Sequence, residues 1–99
     1  MKIIKITDMV SGVIYQTNGN IIEKTFSKSN ISLKDMQNIV KGHIEFVYLL
    51  KDNLVMVVNE QGKIMGLPFN AKATKLVKEC NIKDIIVGDV LVINQNLIK

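Results

Sequence analysis

Five consecutive apolar residues, Leu54-Val55-Met56-Val57-Val58, stand between two polar turns, Lys51-Asp52-Asn53 and Asn59-Glu60-Gln61-Gly62. A strand wetted on one face alternates apolar and polar side chains. This run does not alternate, so it is expected as a central strand covered on both faces. The chain has 99 residues, enough for one domain with a thin core. Hydrophobic residues make up 47% of it, which argues against disorder.

The remaining elements follow from periodicity and turn chemistry. Lys2 to Thr7 reads as a first strand. Val13-Ile14-Tyr15 and Ile21 to Phe26 read as strands on either side of Thr17-Asn18-Gly19-Asn20, a hairpin signal. Ser32 looks like an N-cap with Asp35 three residues on. Leu33, Met36, Ile39 and Val40 then share one helical face, and Gly42 is the expected stop after Lys41. His43 to Leu50 reads as a strand, as does Lys63-Ile64-Met65, giving a β-meander from His43 to Met65. Asn70 is expected to cap a second helix, with Ala73, Leu76, Val77 and Cys80 as its apolar stripe and Lys72, Lys75, Lys78 and Glu79 outside it. The last strand region spans Asp84 to Asn94, bent at Gly88-Asp89. The expected fold is a single α+β domain over residues 1–99, a mostly antiparallel sheet of about five strands with two short helices.

Composition excludes several functions. No apolar run approaches the ~20 residues that span a bilayer, and Met1 to Ile6 lacks the apolar core of a signal peptide, so a cytoplasmic protein is expected. Cys80 is the only cysteine, which rules out an intrachain disulfide and a cysteine metal cage. Net charge is +4, carried without any arginine. Arginine is the usual residue for reading guanine and gripping phosphate, so nucleic acid is an unfavoured partner despite a pI near 9.3. No P-loop, dinucleotide fingerprint or hydrolase elbow is present. His43 and Glu45 form an isolated pair, too few for a metal site and without a nucleophile beside them in sequence. Cys80 lies on an apolar stripe and reads as a structural thiol. Neither a catalytic residue, a metal ligand nor a cofactor is expected.

The segment Asn59 to Thr74 is the candidate site. It delivers the chain through polar turns to a helix N-terminus, where unpaired N–H groups and the helix dipole favour an anion. Asn59, Glu60, Asn70 and Thr74 offer polar groups, Lys72 a charge, and Leu67, Pro68 and Phe69 an apolar wall for a base or ring. The competing reading makes Asn70 a cap only, Pro68 a loop former, and Lys72 and Lys75 a solvated helix face.

Four segments, in order, resemble a small family described as domain of unknown function 3846, found in bacteriophages, prophages and plasmids. Ile39 to Val47 matches the pattern IVxGxIExV, Leu54 to Gly62 matches LVxVVNExG, and Gly66 to Thr74 matches GLPxNxxAT. Ile86 to Val92 resembles the closing IxGxxxV. The resemblance covers residues 39–93. Lys41 stands where a glycine is usual, His43 where a tyrosine is common, and Ala71-Lys72 where a basic pair is often found.

The resemblance implies an accessory protein of a mobile element, acting in an infected or lysogenic bacterium. Small phage proteins often counter host defence, some by sequestering nucleotide-derived immune signals. A non-enzymatic binder of that kind is therefore the first expectation. The alternatives are a protein-binding inhibitor of a host defence complex, anchored by Phe69, and a nucleic-acid-associated accessory protein. A homo-oligomer is also expected, because near-continuous apolar strands on a thin core leave surface to cover.

Overall fold

The structure is a computed structural model and describes residues 10–26 and 31–98. Its elements are β1 (Val10–Tyr15), β2 (Ile21–Phe26), α1 (Leu33–Val40), β3 (Ile44–Tyr48), β4 (Leu54–Asn59), α2 (Ala71–Glu79) and β5 (Val90–Asn94). A single-turn 3-10 helix follows at Gln95–Leu97. The strand expected over Lys2–Thr7 lies outside the described residues. The fold is the expected α+β class: one five-stranded antiparallel sheet and two helices.

The strand order is β2-β1-β5-β4-β3. Two hairpins, β1–β2 and β3–β4, are joined by β5, which pairs antiparallel with both β1 and β4. This order explains the unbroken apolar run at Leu54–Val58. Its strand, β4, has neighbours on both edges and a helix on each face. Val55 and Val57 pack toward Met36 and Val40 of α1, with Leu91 and Ile93 of β5. Met56 and Val58 point the other way, toward Ala73 and Val77 of α2, with Val90 and Val92. Successive side chains of a strand leave on opposite faces, so one short run feeds two cores. Each fully buried Val, Leu, Ile or Met contributes roughly 1.5–3 kcal/mol relative to exposure.

The helix ends follow from local chemistry. Ser32 Oγ accepts from the Asp35 N–H at 3.1 Å and starts α1. The left-handed residue that ends this helix is Lys41 (φ 63°), one position before the expected Gly42. Leu33 also departs from expectation. It is 54% exposed, so the buried stripe of α1 is carried by Met36 and Val40.

Two expected strands are absent. Residues 60–66 coil instead of extending: the Met65 N–H donates to Gln61 O at 2.9 Å and the Gly66 N–H to Lys63 O at 3.2 Å. A meander would pair Lys63–Met65 with β4, but β3 and β5 already occupy both edges of that strand. The meander therefore ends at Asn59. Likewise, Ile85–Val87 is not a strand of the sheet. Val87 makes one bridge to Phe69, and the sheet resumes at Val90.

Candidate functional site

Three polar residues of the segment Asn59–Thr74 are buried: Asn59, Asn70 and Thr74. Asn59 ends β4 and is buried. Its Nδ2 donates to Val40 O (3.1 Å) and Lys41 O (3.3 Å), and its Oδ1 accepts from the Gln61 N–H (2.8 Å). It thereby satisfies carbonyls at the end of α1 that the helix leaves unpaired. Asn70 is fully buried. Its Oδ1 caps α2 by accepting from the Ala73 N–H (3.1 Å), while Nδ2 donates to Tyr15 O and Gly88 O, both at 2.8 Å. Thr74 Oγ1 accepts from the Ile86 N–H (2.9 Å) and donates to Ile86 O (3.3 Å). Among the described residues, no buried side-chain polar atom lacks a partner. Asn59, Asn70 and Thr74 thus spend their hydrogen-bonding groups on the protein's own backbone.

The other expected site residues divide between wall and surface. Leu67 is half-buried beside Gly88, where a built Cβ would stand 2.9 Å from Leu67 Cδ1. Gly88 also has φ 76°, a left-handed conformation in which a side chain is strained. Lys72 is exposed, and its Nζ donates to Gly19 O at 2.7 Å, tying α2 to the β1–β2 turn. The Thr17 N–H in the same turn donates to Asp89 Oδ1 at 2.9 Å. Glu60, Pro68 and Phe69 are exposed.

These residues do not converge on one cavity. Phe69 and Thr74 border a depression of about 440 Å³ with Ala71, Lys75, Lys78 and Glu79. Asn59 and Glu60 border a narrower one of about 240 Å³ beside Glu45 and Ile64. Leu67 and Pro68 border a cleft of about 150 Å³ near Lys41 and Asp89. A further depression of about 560 Å³ is lined by Lys63, Lys78, Lys83, Asp84 and Ile85.

Lys78 also borders the depression beside Phe69, so one lysine reaches both that depression and this one. Within the latter, Lys63 Nζ meets Asp84 Oδ1 at 2.6 Å. That hydrogen bond, with a second from the Ile85 N–H, holds the Asp84 carboxyl below its ordinary range against the opposing effect of partial burial. Lys83 and Ile85 lie outside the segment Asn59–Thr74, and Lys63 lies inside it but reads from sequence only as part of a strand. The α2 residues were partly legible: Ala71, Lys75 and Lys78 recur at helical spacing and share one flank, while Lys72 reaches the hairpin turn.

A family model described as a domain of unknown function (DUF3846) matches residues 10–96. The chain belongs to this family. The DUF3846 match begins well before Ile39 and takes in the β1–β2 hairpin and α1, which the resemblance read from residues 39–93 left out. The hairpin is accordingly part of the domain, and Asn70 and Lys72 are hydrogen-bonded to it. No curated protein and no solved structure matches the chain. Among the described residues of this DUF3846 chain, no helix is long and apolar enough to cross a membrane. No group of three or more His, Cys, Asp or Glu among them is placed to hold a metal ion.

Proposed function

We propose that this DUF3846 domain is a non-enzymatic binding module that holds a nucleotide-derived anion in the depressions beside α2. One observation carries the reading: an exposed aromatic ring, Phe69, borders one depression with Lys75 and Lys78, and Lys78 also borders a second depression with Lys83. Among the described residues the one ion pair is Lys63–Asp84, which leaves those three lysines available to an anion. The ring supplies a face for a base, and the ammonium groups supply phosphate contacts. Each depression has the volume expected of a small-molecule site. Asn59, Asn70 and Thr74 hold the walls of this region in place, and Phe69 is the expected site residue that faces the ligand. In the setting the family resemblance implies, the bound molecule is a host immune signal in the bacterial cytoplasm and binding sequesters it.

The test is a thermal-shift screen against cyclic dinucleotides and trinucleotides, ADP-ribose and NAD. A ligand at about a hundred times its Kd adds ~2.7 kcal/mol of stability, a readable shift for a domain of this size. The reading expects one class to stabilise the protein, less so in Lys78→Ala, and to be recovered chemically intact. A flat panel overturns it.

A second reading, docking to a host defence protein, has its own support. Ile64 is 89% exposed and Met65 54% exposed on the coiled turn after β4. Apolar side chains presented this way are candidate anchors for a protein surface. Capture of one defined host protein, lost in Ile64→Asp, with no response to nucleotides, favours this reading over the first.

A further inference from the structure

The two edges of the sheet differ in chemistry. One is β2, with Glu23 and Lys24 exposed at its middle. The other is β3, Ile44-Glu45-Phe46-Val47-Tyr48, whose one charge is Glu45. Charges blunt a strand edge against pairing, and a largely apolar edge lacks that protection. Among the described residues nothing pairs with the outer side of β3. The register shows which groups that side offers. The Glu60 N–H donates to His43 O at 2.8 Å, and the Leu49 N–H donates to Leu54 O at 3.1 Å. Antiparallel strands bond through alternate residues, so His43, Glu45, Val47 and Leu49 turn their backbone groups toward β4. The N–H and C=O groups of Ile44, Phe46 and Tyr48 therefore point outward.

We infer that the outer edge of β3 joins two copies of this chain by antiparallel pairing, with a two-fold axis through Phe46. The inference is independent of the ligand proposed above. In this register Phe46 faces its own counterpart, Ile44 faces Tyr48 of the second copy, and Glu45 faces Val47 of the second copy. Apolar pairs meet, and no charge stands opposite a like charge. On β2 the Gln16 N–H donates to Asn20 O, which leaves Ile21, Glu23 and Thr25 outward, and a two-fold axis through Glu23 would set carboxylate against carboxylate. The ends of the β3 edge also complement each other. Leu50, just past the strand, is 87% exposed. The register brings it level with Gly42 of the second copy, which borders a depression of about 460 Å³ with Gln37, Asn38, Lys41 and His43. Each copy thus carries a protruding apolar side chain at one end of the edge and a hollow at the other, the self-complementarity that a two-fold contact needs. An unrelated extended peptide could use the same backbone groups but lacks this reciprocity.

The experiment is sedimentation equilibrium of the whole chain over a wide concentration range, with amide exchange measured at low and high concentration. The inference expects a monomer–dimer equilibrium, and exchange at Ile44, Phe46 and Tyr48 that slows as the dimer forms. Tyr48→Lys and Leu50→Asp are each expected to weaken the dimer about tenfold or more. Both side chains are exposed, and Leu50 has φ 57°, which an aspartate tolerates better than a leucine, so melting curves of the variants are expected to match the natural protein's. Ile22→Lys, on the opposite edge, is expected to leave the dimer unchanged. A monomer at every concentration overturns the inference, as does an open-ended series of larger species. A dimer that survives Tyr48→Lys and Leu50→Asp but is lost in Ile22→Lys overturns the assignment to β3.

Discussion

The carboxamide of Asn59 occupies the space that a side chain on Gly42 would need. A Cβ built on Gly42 would stand 2.7 Å from Asn59 Nδ2. That nitrogen is not free to move aside, because it donates to Val40 O and Lys41 O at the end of α1. Gly42→Ala must therefore break this clamp or displace the chain after the helix. The expected loss is about 1–3 kcal/mol, the range for overpacking a filled site. Urea denaturation measures it, and an unchanged midpoint refutes the steric argument.

Asn70→Ala removes three hydrogen bonds at once. The Ala73 N–H loses its cap, and Tyr15 O and Gly88 O lose their shared donor. Loss of a cap costs about 1 kcal/mol, and each stranded buried group roughly 1–3 kcal/mol unless water reaches it. The variant is expected to lose at least about 3 kcal/mol and to loosen the β1–β2 turn. Hydrogen exchange at Gln16 and Gly19, which are hydrogen-bonded in that turn, reports the second effect.

Thr74→Val keeps the shape of the side chain and deletes its hydroxyl. The Ile86 N–H then loses its acceptor, while Ile86 O keeps the Asn70 N–H at 2.8 Å. One orphaned buried donor predicts a loss of about 1–3 kcal/mol, and Thr74→Ser restores most of it. Denaturation midpoints of the two variants settle the comparison.

Asp84 gives a prediction with a sign. Its folded carboxyl titrates below the unfolded one, chiefly through the hydrogen bond from Lys63. The pair therefore stabilises the fold above the unfolded carboxylate range and loses that contribution as pH falls through the folded one. Both side chains are well exposed, so the contribution is below about 1 kcal/mol. Asp84→Asn is expected to be slightly less stable than the natural protein near pH 7 and equal to it in acid. A gap that widens toward low pH contradicts the assignment.

Several features were legible in the sequence because they depend on neighbours along the chain. Ser32 and Asn70 cap their helices as expected, since a side-chain oxygen reaches an N–H three residues on whatever the rest of the fold does. The hairpin around Asn18-Gly19 forms for the same kind of reason, with Gly19 at φ 92°. The candidate site was less legible. Asn59–Thr74 was singled out for its polar groups, yet the amides of Asn59 and Asn70 are taken by carbonyls from α1, β1 and the approach to β5. Lys78, Lys83 and Ile85 border a depression outside that segment, a grouping no local pattern announces.

The sequence by itself determined which residues cap, which turn, and that Leu54–Val58 must be covered on both faces. Those choices follow from backbone hydrogen bonds and burial within a few residues. Only the tertiary structure decided that β5 runs between β1 and β4, that residues 60–66 coil, and that Lys41 carries the left-handed bend. Each depends on which strand edge is already occupied or which distant side chain fills the space. Edge occupancy is settled by pairing between segments far apart in the chain, and no local propensity encodes it.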